Sequence, residues 1–127
     1  MKVFVIMSHP LSVEQEGELH TRFAPEEILF LPESLKSTWT SIPSLGPWNP
    51  EWIEDILTWL KGEMVPGDIA IVQGEYGATF FLVNWLKERG IDSYYATTER
   101  QAIETIREDG SVEMKKIFRH VNFRQYP

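Results

Sequence analysis

Two short stretches of the chain, Val3-Phe4-Val5-Ile6-Met7 and Ile69-Ala70-Ile71-Val72, contain no polar residue. A strand with one wet face alternates apolar and polar side chains, so a strand without alternation must be covered on both faces. Double cover calls for a parallel sheet with helices above and below it, and this requirement restricts the fold more than any other feature. The first stretch could also form the core of a short signal peptide. Ser8-His9-Pro10 follows it directly, however, with no small-residue cleavage pattern, and this favours a first strand.

The intervening segments supply the helices. Ser12 precedes Glu14, Gln15 and Glu16, an N-cap with acids in the first turn, and predicts a helix to about Phe23. Ile28–Leu31 reads as a second strand ended by Pro32. Leu35 and Trp39 stand one helical turn apart, predicting a short helical segment over Glu33–Thr40. Asn49-Pro50-Glu51 starts another helix with proline at its first position. Trp52, Ile53, Ile56, Leu57, Trp59 and Leu60 carry its apolar stripe to about Glu63. Ile69–Val72 is the third strand, Ala78–Glu88 a further helix ending near Gly90, and Ser93–Thr97 a fourth strand. Ala102–Arg107 and Val112–Phe118 alternate around Asp109-Gly110, a two-residue hairpin signal. The expectation is one α/β domain over residues 1–127. It has a Rossmann-like parallel sheet of about four strands, helices on both faces and a C-terminal antiparallel hairpin.

In such sheets ligands bind beyond the carboxyl ends of the strands. Those ends carry Ser8-His9, the segment Gln73-Gly74-Glu75-Tyr76-Gly77-Ala78-Thr79, and Thr97-Thr98-Glu99-Arg100. Glycines between a strand and a helix N-terminus let backbone N–H groups approach an anion. Gly74 and Gly77 would equally serve a plain tight turn, and the spacing is neither the dinucleotide fingerprint nor a P-loop. A neutral His9 can take a proton near working pH, or simply cap the next helix. Thr97, Thr98 and Arg100 suit a phosphate, with a cap and a surface ion pair as the bland reading. In the tail, period two puts His120, Asn122 and Arg124 on one strand face, with Arg119, Val121 and Phe123 on the other.

Charge narrows the ligand. The net charge of −7 argues against a long nucleic acid, because neutralising phosphates supplies most of that affinity. A small phosphorylated ligand needs only a few local cations, and Lys115 to Arg124 holds Lys115, Lys116, Arg119 and Arg124 without an acid. The chain has no cysteine, and three histidines without a close acid make a poor ligand set, so neither a metal nor another cofactor is expected. No apolar stretch approaches the ~20 residues of a membrane span, and a cytoplasmic protein is expected.

Taken together, several motifs resemble a small accessory family of type III CRISPR systems, the Csx-twenty family. They are Ser8-His9 with Leu11 and Gln15, Leu31-Pro32 with Leu35, Trp39 and Ile42-Pro43, Gly67-Asp68, Val72–Thr79, Tyr95–Arg100, and Phe118–Tyr126. The likeness spans essentially the whole chain. Between the two glycines the family pattern has Asp-Phe, where this chain has Glu75-Tyr76.

The resemblance implies a CARF-type Rossmann-like domain working as a homodimer. It also implies a metal-independent ring nuclease that opens cyclic oligoadenylate messengers, cyclic tetra-adenylate first. On that reading Arg100 and the N–H groups of Gly74–Thr79 bind the scissile phosphate, with Ser8, Gln73, Glu75 and Tyr76 around the ligand. His9 moves the proton, with His120 as runner-up. Thr97 and Thr98 position phosphate or ribose, and Arg124 adds positive potential. Two alternatives stay open: a module that only binds the ring, and a nucleotide-binding protein or phosphate-ester hydrolase outside defence.

Overall fold

A computed structural model describes residues 1–127. The chain runs β1 (Lys2–Ile6), α1 (Val13–Phe23), β2 (Glu27–Phe30), α2 (Glu33–Thr40), α3 (Glu54–Glu63), β3 (Ile69–Val72), α4 (Tyr76–Glu88), β4 (Asp92–Ile106) and β5 (Val112–Gln125). A 3₁₀ turn, Pro50–Ile53, leads into α3. The strands form one five-stranded mixed sheet in the order β2-β1-β3-β4-β5. The first four are parallel, and β5 pairs antiparallel with β4. The α/β class, the parallel core and the C-terminal hairpin are as expected.

The two polar-free stretches do what their composition requires. Phe4, Ile6, Ala70 and Val72 face α2, α3 and α4, in one core cluster with Trp39, Ile56, Leu60 and Leu82. Val3, Val5, Met7, Ile69 and Ile71 face α1, with Leu19, Tyr94 and Phe123. Each fully buried side chain of this kind contributes about 1.5–3 kcal/mol. Buried Asp68 ties the amino end of the sheet by accepting from Lys2 N and Val65 N, each at 2.9 Å.

Local signals set most boundaries. Ser12 accepts from Gln15 N while the Gln15 side chain accepts from Ser12 N, a capping box that fixes the start of α1. Asn49 caps the 3₁₀ turn through Glu51 N. Helix α4 begins at Tyr76, two positions before the first residue of its apolar pattern, because the Glu75 side chain caps it there.

Three expectations are corrected. The fourth strand does not stop at Thr97 but continues to Ile106, so Thr97–Arg100 is mid-strand rather than a strand end. The hairpin turn is Arg107–Ser111 rather than the two residues Asp109-Gly110. Its turn is closed by Gly110 N donating to Arg107 O and Arg107 N to Ser111 O, with Gly110 left-handed at φ 85°. Finally, β4–β5 pairing slips between Thr97 and Thr98: Thr97 faces Asn122 while Thr98 faces His120, leaving Val121 as an extra residue. This bulge breaks the period-two reading of the tail. His120 therefore joins Phe123 on the α1 side, their rings 4.9 Å apart, instead of sharing a face with Asn122 and Arg124.

Candidate functional site

Strand order reverses between β1 and β3, since β2 lies on one side of β1 while the chain continues on the other. Adjacent helices leave the sheet to opposite faces at such a point and open a crevice at its carboxyl edge. Here the crevice is a cavity of about 440 Å³ lined by Ser8 from the end of β1, Trp39 and Thr40 from α2, Ile42, and Gly74 and Glu75 after β3. Ser8 and the Gly74-Glu75 pair, distant in sequence, thus meet. His9 is next to Ser8 on the exposed surface, with Nδ1 3.2 Å from Pro10 O.

Gly74 has a local reason that the sequence did not disclose. A Cβ there would stand 2.6 Å from the Trp39 indole, and Trp39 Nε1 donates to Gln73 O at 2.9 Å. The glycine lets α2 lie on the strand end. At the start of α4 the Glu75 carboxylate accepts from Gly77 N, so the helix supplies its own anion at the place where a bound one would sit. Ala78 is fully buried in the core.

A second cavity of about 530 Å³ adjoins the crevice at Gly74, between α4 and the point where β3 and β4 part. Gln73 controls that parting. Its N–H donates to Ile6 O, while its side-chain Oε1 accepts from Ala96 N at 2.8 Å, beyond the last β3–β4 pair. Tyr76, Thr79, Phe80 and Asn84 of α4 form one wall, with Tyr95 and Tyr126 on the sheet side. Tyr126 Oη donates to Val72 O at 2.7 Å, and burial pushes its phenol pKa up, aided by Tyr95. The Thr79 hydroxyl is buried in the wall without a partner. Arg124 stands at the rim, Nη1 3.5 Å from Tyr95 Oη.

The other candidates lie elsewhere. Thr97 Oγ1 donates toward Asn122 Oδ1 at 2.6 Å and secures the bulge. Thr98 and Arg100 are exposed on the free part of β4, and the Arg100 guanidinium lies 5.1 Å from the Phe118 ring centre. His120 is on the opposite face from α4, its Nε2 2.7 Å from Glu18 Oε1 and its Nδ1 buried without a partner. The structure therefore gathers Ser8 and Gln73–Thr79, with His9 beside them and Arg124 at the rim, and leaves out His120, Arg100, Thr97 and Thr98.

Sequence reasoning missed Phe80, Asn84, Tyr95, Tyr126 and the role of Trp39. One signal was available: Phe80 and Phe81 are adjacent in a helix, so they cannot both face the core, and Phe80 is 75% exposed. No helix is long and apolar enough to cross a membrane.

Residues 1–124 match the model described as the Uncharacterized protein MJ1673 family, and the chain belongs to that family. The protein described as Uncharacterized protein MJ1673 from Methanocaldococcus jannaschii is 30% identical over 125 residues, covering 98% of this chain and 96% of the relative. No solved structure matches.

Proposed function

We propose that this member of the family is a metal-independent ring nuclease for cyclic oligoadenylate, cyclic tetra-adenylate being the first substrate to try. One observation carries the site: two strand ends distant in sequence share the crevice at the strand-order reversal, where ligands of parallel α/β sheets bind. The motifs that resemble the Csx-twenty family carry the choice of ligand, and the parallel core agrees with a Rossmann-like, CARF-type ancestry. On this reading the protein is cytoplasmic, works as a homodimer and switches off CRISPR-activated effectors.

In the proposed reaction a ribose 2′-oxygen attacks the adjacent phosphorus in line. The P–O5′ bond breaks, the 5′-oxygen takes a proton, and a 2′,3′-cyclic phosphate remains. His9 is the imidazole beside the crevice, so it accepts the 2′-hydroxyl proton or delivers one to the 5′-oxygen. Ser8, which lines the crevice beside it, holds the ribose and phosphate in the in-line conformer.

The test is incubation with labelled cyclic tetra-adenylate in excess EDTA. Linear product ending in a 2′,3′-cyclic phosphate is expected, and intact ring after hours at micromolar enzyme overturns the reading. His9→Ala should slow cleavage roughly 100-fold or more; an unchanged rate removes His9 from the chemistry. A binding-only module is the second reading, favoured by the Glu75 carboxylate taking the Gly77 N–H that would otherwise offset charge on a reacting phosphate. It predicts a bound ring without product.

A further inference from the structure

We infer that the cavity between α4 and the β3–β4 divergence is a base-binding site selective for adenine, a deepening that rests on the nucleotide reading above. Its volume of about 530 Å³ lies within the roughly 300–1,000 Å³ of small-molecule sites. The walls carry aromatic rings that the monomer's packing does not require. Tyr76 is 93% exposed and Phe80 75% exposed, one helical turn apart on α4. Across the cavity, Tyr95 and Tyr126 pack with ring centres 4.8 Å apart, and the bond from Tyr126 to Val72 O holds that pair rigid. A pre-set pair facing an uncommitted pair is a surface on which a flat base stacks.

The polar groups select the base. Gln73 Oε1 is occupied by Ala96 N–H, so its amide NH₂ is the part left to donate. Asn84 Nδ2 donates to Phe80 O at 2.9 Å, so its Oδ1 is left to accept. A donor and an acceptor together match a base edge that offers an acceptor beside an amino group. Adenine shows that pattern on both edges, N6 beside N1 and N6 beside N7. Cytosine shows it once, N4 beside N3, on a single ring that covers less of the aromatic walls, and guanine presents two acceptors on its major-groove edge. The Arg124 guanidinium, 6.0 Å from the Tyr95 ring centre, puts positive charge at the rim where the attached phosphate emerges. Gly74 borders both cavities, so in a ring held here the phosphodiester on the other side of that nucleoside faces the crevice of Ser8 and Glu75.

The experiment titrates the full chain with adenosine 5′-monophosphate, using guanosine and cytidine monophosphates as comparators and calorimetry as the readout. Saturable binding that prefers the adenosine nucleotide is expected. Phe80→Ala and Tyr95→Leu should each weaken it about tenfold, with circular dichroism unchanged for the exposed Phe80 site. Arg124→Gln should weaken the monophosphate but not adenosine. No saturable binding at millimolar nucleotide overturns the inference, as does equal affinity for the three nucleotides or wild-type affinity in both aromatic variants. Failure of the nuclease reading is distinguishable: selective adenosine-nucleotide binding without ring cleavage sinks the nuclease and leaves the base site standing. Full-rate ring cleavage by Phe80→Ala and Asn84→Ala does the reverse.

Discussion

Glu18 sits where α1 meets the last strand, and it carries more contacts than any other carboxylate in the protein. Its two oxygens accept from Phe123 N at 3.0 and 2.9 Å, from His120 Nε2 at 2.7 Å and from Arg22 Nη1 at 3.1 Å. Arg22 also donates to Phe123 O. Side chains of a helix thereby occupy the outward N–H and C=O of an edge strand, groups that would otherwise invite pairing with another chain. Burial works against ionisation of Glu18, but the hydrogen bonds from Phe123, His120 and Arg22 outweigh it and hold the carboxyl below its ordinary range. A depressed carboxylate stabilises the fold fully above the ordinary carboxylate range, and that stabilisation is lost as pH falls through the folded-state value. Glu18→Gln should therefore cost about 1.5–3 kcal/mol at neutral pH, the scale for hydrogen bonds to a charged acceptor. It should also flatten the fall in stability on the acid side. Urea unfolding at stepped pH checks both; an unchanged acid limb would show that Glu18 is not its source.

At the scale of elements, the sheet and its helices were legible because their signals are local: polar-free strands, a capping serine, a proline at a helix start. The hairpin was only half legible. An alternating pattern says that a strand has two unlike faces, but not whether one strand or two cover Ser93–Arg107. Nor does it reveal a bulge, since Val121 is indistinguishable from its neighbours until β4 imposes the pairing. The position of His120 was lost for that reason. The second cavity was illegible because Gln73, Phe80, Tyr95 and Tyr126 come together only when β4 leaves β3. Beyond that point the hairpin is an arm: no residue from Thr98 to Arg119 is buried. Replacing Gln101–Ile117 by an Asn-Gly turn should therefore leave the helical circular dichroism intact. It should change unfolding free energy by no more than about 1 kcal/mol, because the excised residues bury none of the core. Loss of cooperative unfolding in urea would show that the arm is part of the folding unit after all.

For the whole molecule, the arm raises the question of what faces it. Cross-strand partners share a face, so the register puts Arg100 with Phe118, Ala102 with Lys116, Glu104 with Met114 and Ile106 with Val112 on one side. Phe118 is 62%, Met114 66%, Ile106 74% and Val112 53% exposed. Arg100, Glu104 and Lys116 take part in none of the monomer's ion pairs. An apolar face that also carries both charge signs offers each copy of the chain the groups that a two-fold interface pairs. The arm also sets a distance problem for the proposed chemistry. Arg100 lies five residues beyond Tyr95, about 16 Å along the strand at roughly 3.3 Å per residue, out of reach of its own crevice. In the proposed homodimer the arm would deliver Arg100 to the other copy's site. Light scattering should then give a mass about twice 14.8 kDa, as a symmetric dimer requires, falling to one chain for Phe118→Lys with Met114→Lys. Mixing separately inactive His9→Ala and Arg100→Ala chains should restore ring cleavage to about a quarter of wild type. Random assortment makes half the dimers mixed, and each mixed dimer has one intact shared site. Mixed dimers that form yet stay inactive would show that Arg100 does not act across the interface.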